Sequence, residues 1–289
     1  MTWSNWEKVS GAGLDFTDVL FEKKYHQELG GGIARIAVNR PQKYNAFTAH
    51  TQDELFRAFF DASHDPGIGV VIFTGVGDHF GTGGDVEWEA WGLREQFNWR
   101  YTPDRLMRIC RKPIIAQVRG FCIGGSHHMA YLCDFTIAAD TAIFGQNGPR
   151  VSSPADGYII PYLARVVGAK KAREMWMLAR RYSASEAYDM GLVNKVVPMP
   201  KLEEEVDKWC EELLSLSPGC IEVLKASFDD EIDHMPQLGL HSGWMYPDWF
   251  EMKECREGVD AFMQKRKPQF WKMRQAEAKA RQDNPEPKA

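Results

Sequence analysis

Two glycine-dense stretches are the parts of this chain best suited to chemistry: Gly81-Thr82-Gly83-Gly84-Asp85, and Gly120 through Gly124-Gly125-Ser126. Lacking a Cβ, glycine lets main-chain N–H groups approach a ligand closely. A helix that begins just after such a loop aims its unpaired N–H groups and positive dipole end at the same point. Two convergent N–H groups form an oxyanion hole, which is worth several kcal/mol to a developing enolate or tetrahedral oxyanion. Structural turns and nucleotide-binding loops share this composition, although the chain has neither GxGxxG nor a Walker lysine. Titratable groups stand nearby in sequence. His128 lies three residues past Gly125, and on a helix its neighbour His127 points roughly 100° away, which suits packing or an interface. Asp85, directly after Gly84, reads as a residue that orders its loop.

These loops need elements to hold them. Alternating apolar runs at 33–38, 70–74 and 114–118 predict strands, and each ends in turn or glycine chemistry: NRPQKYNA, TGVGDHFGTGGD and RGFCIGGS. Helical patterns at 51–64 and 126–132 follow the first and third runs, and a fourth apolar run occupies 135–139. Strand–loop–helix alternation predicts a β/α architecture with ligands at the carboxyl ends of strands. Beyond about Val197 only helical patterns remain, at 202–216, 218–230 and 254–265. They predict a core over 1–197, a helical C-terminal segment over 198–271 and a fraying, charged tail over 272–289. No internal repeat is visible in the sequence.

Composition narrows the function. The chain has 289 residues, is 44% hydrophobic and 26% charged, and carries a formal net charge of −5, so it can bury a large core. No Lys/Arg stripe is broad enough for nucleic acid. No apolar run is long enough to span a membrane, and the first residues lack the apolar centre of a signal peptide, which predicts a cytoplasmic protein. The six cysteines form no CxxC pair and sit mostly in apolar stretches, which predicts reduced, buried thiols.

Specificity comes from a family resemblance. Asn39-Arg40-Pro41-x-Lys43-x-Asn45-Ala46, His79-Phe80-x-x-Gly83-Gly84-Asp85 and Lys112-Pro113-Ile114-Ile115-Ala116-x-Val118-x-Gly120 resemble motifs of the crotonase (enoyl-CoA hydratase/isomerase) superfamily, in the usual order. So do Cys133-Asp134, Phe144-Gly145-Gln146, Leu163 through Gly168, and Lys265-Arg266-Lys267-Pro268-x-Phe270. The resemblance runs from about Phe21 to Phe270. It implies an α/β fold, the ClpP-like β-β-α spiral core, with a C-terminal helical segment that drives trimers and dimers of trimers. It also implies an acyl-CoA substrate, no further cofactor and no metal. The oxyanion pair would fall on Gly84 and Gly125. CoA would lie along Lys43, Asn45, Ala46 and Phe47, with Lys265 near its phosphates.

Departures from the family pattern suggest which branch. Simple hydratases resemble this chain but use two glutamates, and at those positions it has His128 and Gly148. Phe144 through Arg150, with Ser153, Asp156-Gly157 and Leu163, looks more like the cyclic-substrate branch of 2-ketocyclohexanecarboxyl-CoA hydrolase, 6-oxocyclohex-1-ene-carbonyl-CoA hydrolase and dihydroxynaphthoyl-CoA synthase. The synthase pattern wants Asp where Ala155 stands, whereas Ser153 and Tyr158 match it. Asp156 aligns with the 6-oxo hydrolase and with the nucleophilic Asp of 4-chlorobenzoyl-CoA dehalogenase. Trp88, Trp91, Phe97, Trp99 and Tyr101 crowd the segment where the family places its acyl pocket. Trp244, Tyr246, Trp249 and Phe250 form a second aromatic cluster. The expected site therefore has Asp156 as base or nucleophile and His128, with a pKa near neutrality, relaying a proton to the enolate carbon. Ser153 bonds a substrate carbonyl, and Trp88, Trp91, Tyr158, Trp249 and Phe250 line a pocket for a ring. The expected reaction is water attack on a cyclic β-keto acyl-CoA with retro-Claisen C–C cleavage. Hydration or lyase chemistry, ring closure and a degenerate scaffold are the other readings.

Overall fold

The computed structural model describes residues 2–89, 106–108, 110–155, 157–230, 251–272, 274–275 and 279. The predicted apolar runs lie side by side in one seven-stranded sheet. Its strands are β1 (Glu7–Lys8), β2 (Val19–Tyr25), β3 (Gly32–Val38), β4 (Ile68–Gly75), β5 (Ile114–Val118), β7 (Phe135–Ala139) and β10 (Lys195–Val197), in the order β1-β2-β3-β4-β5-β7-β10. From β3 onward every pairing is parallel, and β1, β2 and β3 pair antiparallel.

The central strands read as continuous apolar runs because both faces of the sheet are covered. Ala34, Ile36, Val71, Phe73, Ile114, Ala116 and Ala138 point into one core, under α1 (Ala49–His64) and α2 (Gly125–Leu132). Their alternates Ile33, Val70, Ile72, Ile115, Ile137 and Ala139 meet Leu202, Val206 and Cys210 on the other side. Helix α1 starts where Thr48 accepts from Thr51 N–H and Thr51 returns a bond to Thr48 N–H, a reciprocal cap.

A second, smaller layer lies past the carboxyl ends of the strands. It contains β6 (Phe121–Ile123), β8 (Ile143–Gly145) and β9 (Arg181–Ser183). Single parallel bridges extend it, Gly81 to Cys122 and Phe47 to Gly84. Each long parallel strand thus hands the chain to a short second-layer segment and then to a helix. This happens at β3 and α1, at β4 and a helix beginning at 86, at β5 and α2, and at β7 and α3 (Gly148–Val151). The structure repeats a β-β-α unit, as the family resemblance implies, though no repeated run of residues marks it in the sequence.

Further helices among the described residues include α4 (Ile159–Val167), α5 (Ala169–Leu178), α6 (Ala184–Asp189), α7 (Leu202–Leu214), α8 (Pro218–Asp230) and α9 (Lys253–Met263). The three predicted after 197 are present, with ends shifted by a residue or two. Helix α9 folds back onto α3. A Cβ on Gly258 would stand 2.3 Å from Ser152 Cβ and 2.5 Å from Val151 carbonyl oxygen, so only glycine permits that crossing. Five cysteines are buried and Cys220 is exposed, all as free thiols. Among the described residues no helix is long and apolar enough to cross a membrane.

Candidate active site

The two glycine loops touch. After β4 the chain enters the second layer, where Gly81 N–H donates to Phe121 oxygen at 2.8 Å and Ile123 N–H donates to Gly81 oxygen at 3.0 Å. Gly83 has φ 95°, and a Cβ there would lie 2.8 Å from Gly125 nitrogen, so the backbones meet this closely only because residue 83 is glycine. Ser126 Oγ accepts from Gly83 N–H at 3.0 Å and ties the loops together.

That arrangement leaves two main-chain donors over. In the bridge between Phe47 and Gly84, Phe47 N–H donates to Gly83 oxygen at 2.9 Å and Asp85 N–H to Phe47 oxygen at 2.8 Å. Gly84 N–H finds no acceptor among the described residues. Gly124, at φ 58°, turns the chain into α2, and Gly125 N–H at the head of that helix also finds none. The pair fits an oxyanion hole. The Phe47 ring closes one side, because a Cβ on Gly125 would come 2.6 Å from Phe47 Cζ. Arg40 fixes the loop from below, donating to Asp85 Oδ2 at 3.0 Å and to the Ala46 carbonyl. Asp85 thus orders its loop.

A carboxyl that the sequence reading passes over, Glu89, lies against this hole. A Cβ on Gly84 would stand 1.9 Å from Glu89 Oε1. Ser153 Oγ donates to Glu89 Oε2 at 3.2 Å. Burial raises the carboxyl's pKa, the Ser153 bond opposes that rise, and the negative charge of Asp85 adds to it. Among the described residues Glu89 has no cationic partner. Cys255 on α9 is near enough for Glu89's charge to add to the burial that raises its thiol pKa. A signal was available: an acid one helical turn past Asp85, set between Trp88 and Trp91 in the segment after the oxyanion glycine.

The histidines form a buried chain. His128 Nε2 lies 3.0 Å from Gln146 Oε1, and Gln146 Nε2 lies 2.9 Å from His127 Nδ1. His128 packs against Trp176, with ring centres 5.0 Å apart. Burial lowers the pKa of His128 to about 4, and burial with the neighbouring His128 lowers that of His127 to about 3. The expected titration of His128 near neutrality is therefore corrected: the ring is neutral at physiological pH, and one nitrogen is occupied by Gln146. His127 Nε2 has no partner among the described residues.

The other expected residues divide. Ser153 joins Gly84, Gly125, Phe47 and Glu89 in one place. At position 148 the site is walled off, since a Cβ on Gly148 would come 2.8 Å from Ser153 oxygen. Asn45 spends its side chain on protein, donating to Val76 and His79 oxygens at 2.9 and 2.7 Å and accepting from Arg40 N–H at 3.0 Å. Lys43 is exposed and pairs with Glu87 at 2.6 Å, which raises its pKa. Lys265 is exposed just beyond α9. Tyr158 is buried against Leu132, Ile159 and Tyr162, and its hydroxyl has no partner among the described residues. Trp88 is half-buried on the helical residues 86–89. Asp156, Trp91, Trp249 and Phe250 lie outside the described residues, as do Phe97, Trp99, Tyr101, Trp244 and Tyr246.

Comparison with known proteins places this geometry. The model of a family described as enoyl-CoA hydratase/isomerase matches residues 28–274. A solved enoyl-CoA hydratase/carnithine racemase from Magnetospirillum magneticum is 29% identical, with TM-score 0.68, covering 89% of this chain and 96% of its own. An enoyl-CoA hydratase from Mycobacterium avium subsp. paratuberculosis K-10 is 26% identical, with TM-score 0.71 and coverage of 88% and 98%. A methylmalonyl-CoA decarboxylase solved in complex with 2-nitronate-propionyl-CoA is 27% identical, with TM-score 0.75 and coverage of 82% and 94%.

Proposed function

The chain belongs to the enoyl-CoA hydratase/isomerase family, acting on acyl-CoA, and from that premise we propose that it opens a cyclic β-keto or oxo-enoyl acyl-CoA by water attack and C–C cleavage through a thioester enolate. The observation that carries the reading is the pair of acceptor-free N–H groups on Gly84 and Gly125. Such donors lower the barrier most for a species whose charge develops on the thioester oxygen, which is an enolate.

Simple hydration is disfavoured by the same geometry. Hydration needs an acid and a base on the two faces of the double bond. At 128 stands a neutral histidine held by Gln146, and at 148 no side chain fits. In the proposed reaction a base removes a proton from water, and the hydroxide oxygen bonds to the ring ketone carbon. The bond to the α-carbon breaks, its electron pair becomes the enolate, and a carboxylic acid is left at the other end. Asp156 is our candidate for that base, on the sequence resemblance. Trp88 and the aromatic residues after it suit a ring.

We further propose assembly with threefold symmetry. Helix α8 supports it, because Val223, Leu224 and Phe228 are 66%, 54% and 77% exposed there and offer an apolar face a neighbouring subunit would cover.

The test is a panel of cyclic 2-keto, oxo-enoyl and linear enoyl CoA esters, followed by mass spectrometry in heavy-oxygen water. Ring opening adds one water and places heavy oxygen in a new carboxylate. Label in an alcohol means hydration, loss of water means ring closure, and loss of carbon dioxide means decarboxylation. Any of these three in place of a labelled carboxylate refutes the ring-opening assignment.

A further inference from the structure

We infer that Glu89 carries the proton on and off the carbon next to the thioester carbonyl, replacing from the first glycine loop the acid–base groups that hydratases hold at 128 and 148. The inference rests on the enolate-forming reading above and supplies the residue that it lacks.

Position is the first argument. Glu89 Oε1 would lie 1.9 Å from a Cβ on Gly84, so the carboxyl lies against the Cα whose own N–H is free to hold the thioester oxygen. The α-carbon of an acyl group is two bonds from that oxygen. It therefore comes to rest within a few ångströms of the carboxyl.

The second argument is what surrounds the group. A carboxyl kept for structure in a partly buried place is ordinarily matched by a cation or several N–H donors, and Glu89 is half-buried. Glu89 has one hydroxyl donor, Ser153, on Oε2, and no partner on Oε1 among the described residues. Among the described residues the charge that acts on it is another carboxylate, Asp85, already committed to Arg40. Burial and that charge favour the protonated form, as a proton donor to an enolate requires.

Elimination is the third argument. His127 and His128 are neutral and joined through Gln146. The Cys255 thiol has its pKa raised by burial and therefore stays protonated. Position 148 admits no side chain. Among the described residues, Glu89 is the titratable group left beside the hole.

The step balances. In ring opening the electron pair of the broken C–C bond becomes the enolate, and the α-carbon takes the proton from Glu89, leaving its carboxylate. Solvent returns that proton, matched by the one the base took from water, and the proton of the new carboxylic acid is the one released overall. In reverse, the carboxylate takes an α-proton from a plain acyl-CoA, and the C–H electron pair becomes the enolate.

Two probes separate hole from proton carrier. The first is binding of 2-nitronate-propionyl-CoA, whose nitronate has the charge and shape of a thioester enolate, by calorimetry. The second is deuterium exchange at the α-carbon of propionyl-CoA in heavy water, by NMR. Wild type is expected to bind the first and exchange the second. Glu89→Gln is expected to bind the nitronate about as tightly, since the amide keeps the size of the protonated carboxyl and can still donate, and to exchange about 100-fold more slowly or worse. Nitronate affinity itself reports folding. Should Glu89→Gln not fold, Glu89→Asp decides, with exchange lowered about tenfold and nitronate affinity intact. The inference is overturned by a Glu89 variant that binds and exchanges like wild type, or by wild type that binds without exchanging. Wild type that does not bind the nitronate overturns the enolate reading itself.

Discussion

Adding one methyl group at Gly84 tests the geometry of the site more sharply than removing any side chain. Gly84 has no left-handed backbone to strain, so alanine is conformationally acceptable there. The atoms the new Cβ would meet first all belong to Glu89, Oε1 at 1.9 Å and Cδ at 2.9 Å. Ordinary contact begins near 3.4 Å, so the oxygen must retreat by about 1.5 Å. The 3.2 Å bond from Ser153 goes with it. The Gly84 N–H itself is untouched. A misplacement of about 1 Å in a reacting group costs roughly 100-fold in rate, so Gly84→Ala should slow α-carbon deuterium exchange by about that factor. Nitronate affinity should stay within about tenfold and Tm within a few degrees, because the added atom meets the far end of a flexible side chain. On a Glu89→Gln background the same methyl should cost about nothing more, since both changes disable one step. Exchange at the wild-type rate in Gly84→Ala, or full additivity in the double variant, would show that Glu89 is not the proton carrier.

Asp156→Asn keeps shape and removes a base, so kcat for ring opening should collapse while α-carbon exchange, which needs no attacking water, persists; loss of both together would argue against separate roles. His127 and His128 bind protons in the unfolded chain below pH 6.5 but stay neutral in the folded one down to about 3 and 4, so the unfolded state is favoured as pH falls through that window. Urea midpoints should drop from pH 6.5 towards 4, and His127→Gln/His128→Gln should flatten the slope; an equally steep slope in that double variant would place the acid sensitivity elsewhere. Phe228→Asp should convert the assembly to smaller species in light scattering, and a clean wild-type monomer at micromolar concentration would remove the case for threefold assembly.

The core strands were legible because burial on both faces leaves a plain apolar run, as at Ile114–Val118 and Phe135–Ala139. Strand β2 was not, since VLFEKKY places three charges in succession. Their partners lie far off in sequence: Arg35 for Glu22, Asp61 and Asp65 for Lys23, and Asp207 for Lys24. The three-residue strands of the second layer are too short to show a period. The glycine loops showed themselves through composition, and their contact through family resemblance. The depressed pKa of His128 depends on Trp176 and Gln146, which no local pattern brings to it. Glu89 was readable in principle, yet its meaning comes from a contact with Gly84 that only the fold supplies.

No codon specifies an amide N–H. The donors at Gly84 and Gly125 belong to the main chain, so mutation can retire every acid around them and leave the proposed oxyanion site standing, provided the glycines remain. A gene with this scaffold can lose one reaction and gain another through a few coding changes. The histidine at 128, the glycine at 148 and the carboxyl at 89 are what such a history would leave behind. Directed evolution towards new thioester chemistry should therefore diversify 89, 128 and 153 and hold 84 and 125 fixed.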